Sequence, residues 1–269
     1  VTFIFEITPD ADEDKVWRQN IRPLLTGISE NVLHICHYGF TEMLNNAIEH
    51  SEGRQIRIDT DCTEDTIELT IRDDGIGIFK KIKDKLNLED ERHAIFELSK
   101  GKLTTDPDRH SGEGIFFTSR SFDMFFIRSS NLNFIHRNNH EDDWLIEDKD
   151  NEAGTVVMMV IHKNSQKTLK SVFATYSDDN FGFTKTHVPV FLAQYGNDKL
   201  ISRSQAKRVL ARVDRFQEVL LDFSGVDMIG QAFADQIFRV FRNEHPDINL
   251  VRIHTNDDVE KMIHRVSDK

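Results

Sequence analysis

The chain has 269 residues, 38% hydrophobic and 30% charged, which suits two ordinary domains or one large one and reads as globular rather than disordered. Its net charge of -12 speaks against a general nucleic-acid surface, because counterion release needs clustered Lys and Arg. No apolar run reaches membrane-spanning length and no secretory leader is visible, so a membrane partner is not expected.

In chain order, residues 1–8 predict a strand and 13–25 a helix after an Asp-rich turn. The sequence opens at Val1 directly in that strand-like run, so a missing natural N-terminal part is expected. DNA contact is expected only if that part supplies it, and a leader within it stays open. Residues 29–51 carry the strongest helical pattern. On a wheel, Glu42, Asn46, Glu49 and His50 fall on one side and Met43, Leu44, Ala47 and Ile48 on the other. The apolar side should pack on a sheet, and the polar side should line something wet.

Strands are predicted at 55–60, with Ile56 and Ile58 inward, and at 66–72, with Ile67, Leu69 and Ile71 inward. Residues 89–99 predict a helix, 100–113 a polar loop, and 114–122 another helix. Strands follow near 123–129, 132–137, 143–147 and 154–162. A seam is expected at 164–170. Beyond it, strands at 172–176, 180–184, 187–193, 217–223 and 248–253 and helices at 202–213, 230–244 and 256–266 predict a small α/β layer domain. Cys36 and Cys62 show no metal-ligand or CxxC spacing, and two free thiols suit a reducing, cytoplasmic location. The basic cluster Arg203, Lys207, Arg208, Arg212 and Arg215 reads as a solvated helix face.

Four segments carry chemistry. Glu42 and Asn46 stand at i and i+4 on one helix side. An Asn oxygen is a neutral hard ligand suited to magnesium beside phosphate oxygens, and a carboxylate one turn away can orient water or accept a proton. In Asp73-Asp74-Gly75-Ile76-Gly77, a carboxylate at a strand end can accept from an exocyclic amine, while glycines let backbone approach the ring. In His110-Ser111-Gly112-Glu113-Gly114, glycines before a helix expose N–H groups to phosphate, with Thr104, Thr105, Arg109, His110 and Ser111 as polar company. The fourth is Gly154-Thr155. Singly, each has a bland reading: a polar helix face, an Asp-Gly turn, a surface loop, a strand start.

In this order the four resemble the GHKL family of ATPases, which includes gyrase, Hsp90, histidine kinases and MutL. Glu42, Asn46, Ala47 and His50 look like its N box; Asp73, Gly75 and Gly77 its G1 box; Gly112 and Gly114 its G2 box; Gly154-Thr155 its later Gly-Thr element. The resemblance implies an α+β chain whose residues 1–165 form a Bergerat sandwich, a helix layer on a mixed sheet. It further implies ATP and Mg2+ as cofactors. Asp73 would take the adenine amine, Asn46 the magnesium, Gly75, Gly77, Gly112, Gly114 and Thr155 would contact nucleotide, and 100–113 would form a lid. The compact form and the Glu42/Asn46 spacing are most similar to anti-sigma-factor serine kinases, whose N-box carboxylate is a base, so Glu42 is the catalytic candidate. His34, His37 and His50 read as structural, and no phosphotransfer helix precedes the pocket in these residues, so a sensor histidine kinase is not expected unless the missing N-terminal part supplies the acceptor.

Residues 172–269 resemble STAS domains, and more closely the STAS-like modules fused to GHKL ATPases, through Asp222, Ser224, Gly225 and Gly230. Anti-sigma antagonists place a phosphorylatable serine where this chain has Gln231-Ala232, so an internal kinase–substrate pair is not expected. Ser224 reads as a turn residue, and Asp227 and Asp235 as surface charge with a cation as the rival reading. The whole predicts an ATP-dependent regulator of signalling or transcription with a protein partner, and a homodimer as an open arrangement. The rivals are a serine/threonine kinase acting on a separate partner and a non-catalytic nucleotide-binding module.

Overall fold

The structure, a computed structural model, describes residues 1–8, 10–103, 112–138, 143–180, 182–194 and 199–267, without the side chains of 143, 144, 150 and 151. It forms two compact units, Val1–Ile95 with Leu103–Val172, and Phe96–Lys102 with Phe173–Lys269.

The first unit contains β1 (Thr2–Glu6), α1 (Glu13–Val16), α2 (Glu30–His50), β2 (Gln55–Cys62), β3 (Thr66–Asp73), α3 (Ile78–Leu86), the start of α4 (Glu91–Lys100), α5 (Gly114–Ser121), β4 (Met124–Arg137) and β5 (Asp143–His162). The strands form one sheet in the order β1-β2-β3-β5-β4. Every described pairing in it is antiparallel, which is narrower than the mixed sheet expected. The alternation in β2 and β3 works as read: Ile56, Ile58, Ile67, Leu69 and Ile71 are buried. Helix α2 buries Val32, Ile35, Phe40, Met43, Leu44 and Ala47 and packs on α5, β3 and β5.

Two features differ from the sequence expectation. The segments 123–129 and 132–137 belong to one strand, β4, interrupted by register shifts around Ser130, whose φ of 55° marks a bulge. Likewise 143–147 and 154–162 belong to one strand, β5. Helix α3 has no counterpart among the elements expected from the sequence. Only Phe79 and Ile82 are buried on it, and the lysines around them hide that i, i+3 pair.

In the second unit, β6 (Lys185–Pro189), β7 (Glu218–Asp222) and β8 (Asn249–Ile253) form a parallel sheet in that order. Helices α7 (Arg203–Leu210), α8 (Gln231–Asp235), α9 (Arg242–Glu244) and α10 (Asp257–Ser267) accompany it, with 231–244 helical throughout. Ser202 opens α7 with a capping box to Gln205. Three strand expectations fail here. Residues 172–176 lie in α6 (Leu169–Tyr176), because Thr168 Oγ1 caps the Ser171 N–H at 3.0 Å and starts a helix. Among the described residues of 180–184 only Phe183 makes a bridge, since Asp178 Oδ1 accepts from Asn180 and Gly182 and makes a turn. The predicted 187–193 strand stops at Pro189 and continues as a 3-10 turn over Val190–Ala193.

Candidate functional site

Helix α2 is the spine of the site. With Met43, Leu44 and Ala47 buried, helical spacing leaves Glu42, Asn46 and Glu49 on the less buried side. Between Glu42 and Ser51 the helix rises about 14 Å, and each end of that span meets a different glycine turn.

At the Glu42 end, the turn before α5 comes close. A Cβ on Gly114 would stand 2.0 Å from Glu42 Oε2. Only a glycine lets that carboxylate lie against the backbone. Tyr38, one helical turn earlier, has its pKa raised by burial first and then by the charges of Glu42 and Glu113. Gly112, at φ +72°, accepts a hydrogen bond from Leu103 N at 3.1 Å.

At the other end, Ser51 caps α2 and its carbonyl accepts from Ile76 N at 2.9 Å. A Cβ on Gly75 would fall 2.0 Å from that same carbonyl oxygen. Asp74 Oδ1 takes the N–H groups of Arg54 and Gln55 at 2.7 and 3.0 Å, pinning the turn to β2. Lys81 Nζ donates to the last carbonyl of α2, His50 O, at 2.6 Å, which also suits the negative end of the helix dipole.

Asp73 closes β3 and is buried. Its Oδ1 accepts from Gly75 N at 2.9 Å and Thr155 N at 3.2 Å, and Oδ2 takes neither of these backbone donors. Burial raises its pKa above the usual carboxylate range, and the bonds from Gly75 and Thr155 offset that only in part. Thr155 Oγ1 accepts from Ile78 N at 3.1 Å, tying β5 to the start of α3. Gly154 leaves room for the Asp73 carbonyl, and Ser129 Oγ donates to Gly154 O at 3.2 Å. Gly77, at φ +88°, is the N-cap of α3.

The structure therefore gathers Asp73, Gly75, Gly77 and Thr155 at the C-terminal end of α2, and Glu42, Gly112 and Gly114 toward its middle. Asn46 lies between the two groups. Thr104, Thr105, Arg109, His110 and Ser111 lie outside the described residues. Sequence reasoning assigned no role to Tyr38, Ser51, Asp74, Lys81 or Ser129. Asp74 had a signal, being the second acid of an Asp-Asp-Gly turn, whereas Lys81 and Ser129 are brought in by tertiary folding alone.

The donor set suits a hard cation. Among the described residues no three His, Cys, Asp or Glu side chains converge on a metal position. A magnesium ion here would thus rest on one amide oxygen, ligand phosphates and water, which is its usual preference. His37 stacks on Trp17 at 4.9 Å and its Nε2 meets Asp14 at 3.1 Å.

In the second unit, Asp222 ends β7 almost fully buried. It accepts from Ser224 N and Oγ at 2.9 and 2.8 Å, pairs with His187 Nε2 at 2.7 Å and with His254 Nδ1 at 2.9 Å. Burial alone would raise its pKa, but these bonds outweigh burial and hold the carboxyl well below its usual range. Ser224 is thus a turn residue, as read. Asp235 is bound by Arg239, with 2.8 Å between Arg239 Nη2 and Asp235 Oδ2. Gln231 and Ala232 open α8, and neither carries an acceptor hydroxyl. The basic cluster is not one solvated helix face: α7 stops at Leu210, Arg212 takes φ +63°, and its guanidinium lies 3.6 Å from Glu97 Oε2. Among the described residues no helix is long and apolar enough to cross a membrane.

The family model of the histidine kinase-like ATPase domain matches residues 8–135, and that of a STAS-like domain of unknown function matches residues 205–260. Gly154-Thr155 lies beyond the first match. A search of curated proteins returns no match to the chain.

Proposed function

We propose that this chain, a histidine kinase-like ATPase domain followed by a STAS-like domain, binds ATP with magnesium along α2 and uses the nucleotide to regulate a protein partner. The observation that carries the reading is Asp73: a buried carboxylate whose backbone donors both fall on Oδ1. Oδ2 is then the acceptor for the exocyclic amine of adenine, in a wall whose glycines admit a flat ring. Asn46 would hold magnesium against the phosphates, and magnesium would supply charge neutralisation there. Glu42 accepts the proton of the attacking water. Its place against Gly114 sets it beside the turn whose N–H groups face a phosphate. Slow hydrolysis then resets the bound state, and the nucleotide regulates only as far as it favours one arrangement over another.

Glu42 serves a protein hydroxyl by the same chemistry, so the second reading is a serine/threonine kinase. Gln231 and Ala232 restrict that reading to a separate partner. Titration calorimetry of the intact chain with ATP and magnesium tests the proposal, with Asn46→Ala and Asp73→Asn as controls. Folded protein that takes up no ATP refutes it. Radiolabel transfer to a partner, lost in Glu42→Ala, selects the kinase reading over simple hydrolysis.

A further inference from the structure

Two strands of the first unit's sheet are apolar on both faces. On β2 and β3 the alternation is clean: Ile58 and Leu69 are buried, while Arg57, Glu68 and Arg72 reach the outer face. A sheet with one wetted face shows that pattern. On β4 and β5 it breaks down. Phe125, Ile127, Val157 and Met159 are buried on the inner face. The residues between them, Met124, Phe126, Val156, Met158 and Val160, are apolar too, and they stand half-buried on the outer face. A strand that is apolar in a continuous run suits a sheet covered on both sides.

The pairing register sets the outer face in transverse rows, about 7 Å apart. Phe126 and Met158 share the middle row with Thr70. The row on one side runs Arg57, Arg72, Val156, Arg128, and the row on the other runs Asp61, Glu68, Val160, Met124. Each flank thus sets like charges directly opposite each other on β2 and β3, Arg57 against Arg72 and Asp61 against Glu68. That is unfavourable within one chain. Neighbours in the chain answer it only in part. Arg57 holds Asp59 at 2.8 Å, but Arg72 meets Glu152 at 3.6 Å, and Arg128 meets Asp148 and Glu152 at 3.7 and 3.8 Å. The side chains of Arg57 and Arg72 are each 51% exposed, and a guanidinium has donors for more than one carboxylate.

We propose that the outer face of this sheet docks on the same face of a second copy of the chain. A two-fold axis along the middle row sets Met158 over its own counterpart and runs the facing strands antiparallel. The Arg57–Arg72 flank then meets the Asp61–Glu68 flank of the second copy, twice over, and Val156 meets Val160. An axis along the strands sets arginine against arginine, so charge selects the first arrangement. Both unfavourable pairs are relieved together, and the half-buried apolar residues leave water in an aligned packing of two sheets. The occupant is a second copy because the charge reverses about the middle row, which makes the face its own complement. The proposal takes nothing from the nucleotide reading of the site.

Sedimentation equilibrium on the intact chain tests it. The wild type is expected to pass from monomer to dimer as its concentration rises to about 100 µM. Met158→Lys sets two like charges face to face on the axis and is expected to raise the dissociation constant at least tenfold. Arg57→Glu/Arg72→Glu is expected to do the same. Adding Asp61→Arg/Glu68→Arg to that variant exchanges the flanks and is expected to restore the dimer. A wild type that stays monomeric overturns the proposal and leaves the face to a different protein. A dimer unmoved by Met158→Lys uses another surface and overturns it as well, whether or not the reversed chains fold. A folded, flank-exchanged chain that fails to regain the dimer overturns the antiparallel arrangement.

Discussion

Replacing Asp73 by Asn separates recognition from folding. The Asn side-chain oxygen can still accept from Gly75 N and Thr155 N, which now reach Asp73 Oδ1 at 2.9 and 3.2 Å. The other terminal atom becomes an NH2 group, and it meets the adenine amine donor to donor. A hydrogen bond to a charged acceptor contributes about 1.5–3 kcal/mol, and an opposed pair of buried donors puts the loss at the upper end. A loss of about 2–3 kcal/mol weakens ATP binding roughly 30- to 150-fold. The free protein should not suffer, because burial holds the Asp73 pKa up.

The sign of that shift gives a second readout. An acid with a raised folded-state pKa binds protons better when folded. The contribution of Asp73 to stability is therefore greatest at low pH and falls as pH rises from the ordinary carboxylate value through the raised one. Asp73→Asn removes that fall. The assay is calorimetry for affinity, with thermal unfolding followed by tryptophan fluorescence; Trp17 and Trp144 both lie in the first unit. A variant that is folded and binds ATP within threefold of the wild type refutes the assignment of Asp73.

Three further outcomes follow from the same geometry. Gly114→Ala forces Glu42 Oε2 away from a Cβ only 2.0 Å distant; the chain end can swing, so ATP binding persists while turnover or transfer drops on the order of 100-fold, read by steady-state phosphate release. Gly75→Ala instead meets the Ser51 carbonyl at 2.0 Å, a backbone atom that cannot swing, and costs about 3 kcal/mol of stability in a thermal melt. Asp222→Asn lowers the stability of the second unit near neutral pH by about 3 kcal/mol, measured by hydrogen exchange in β7. The lowered Asp222 pKa means that this contribution is present above the ordinary carboxylate value and is lost as pH falls through the folded one, so the wild type and variant converge in acid.

Cys36 offers a simple check on the core. It is buried and its pKa is pushed up to about 12, by burial first and by Cys62 second. A thiol reagent at mildly alkaline pH should modify Cys62 in the folded chain and reach Cys36 only after denaturation.

The parts of this fold legible in the sequence are those governed by local period. The alternation of β2 and β3 and the two sides of α2 reported themselves through Ile56, Ile58, Ile67, Leu69, Met43, Leu44 and Ala47. The glycines at 75 and 114 were legible as glycines, but the partners that require them, Ser51 O and Glu42 Oε2, are tertiary neighbours. Helix α3 was hidden because two buried residues among lysines make a weak period. The strand expected at 172–176 failed because a β-rich composition was outweighed by the Thr168 cap. Least legible was Phe96–Lys102. Its neighbours in sequence are those of the first unit, while its hydrogen-bond partners outside the stretch include Thr186 and Arg212, far along the chain.

The most direct measurement is a crystal structure of the chain grown with magnesium and a non-hydrolysable ATP analogue. The adenine amine is expected on Asp73 Oδ2 and the metal on the side-chain oxygen of Asn46, with the phosphates running along α2 toward Gly114. Nucleotide bound elsewhere, or bound along α2 with its base away from Asp73, contradicts this placement.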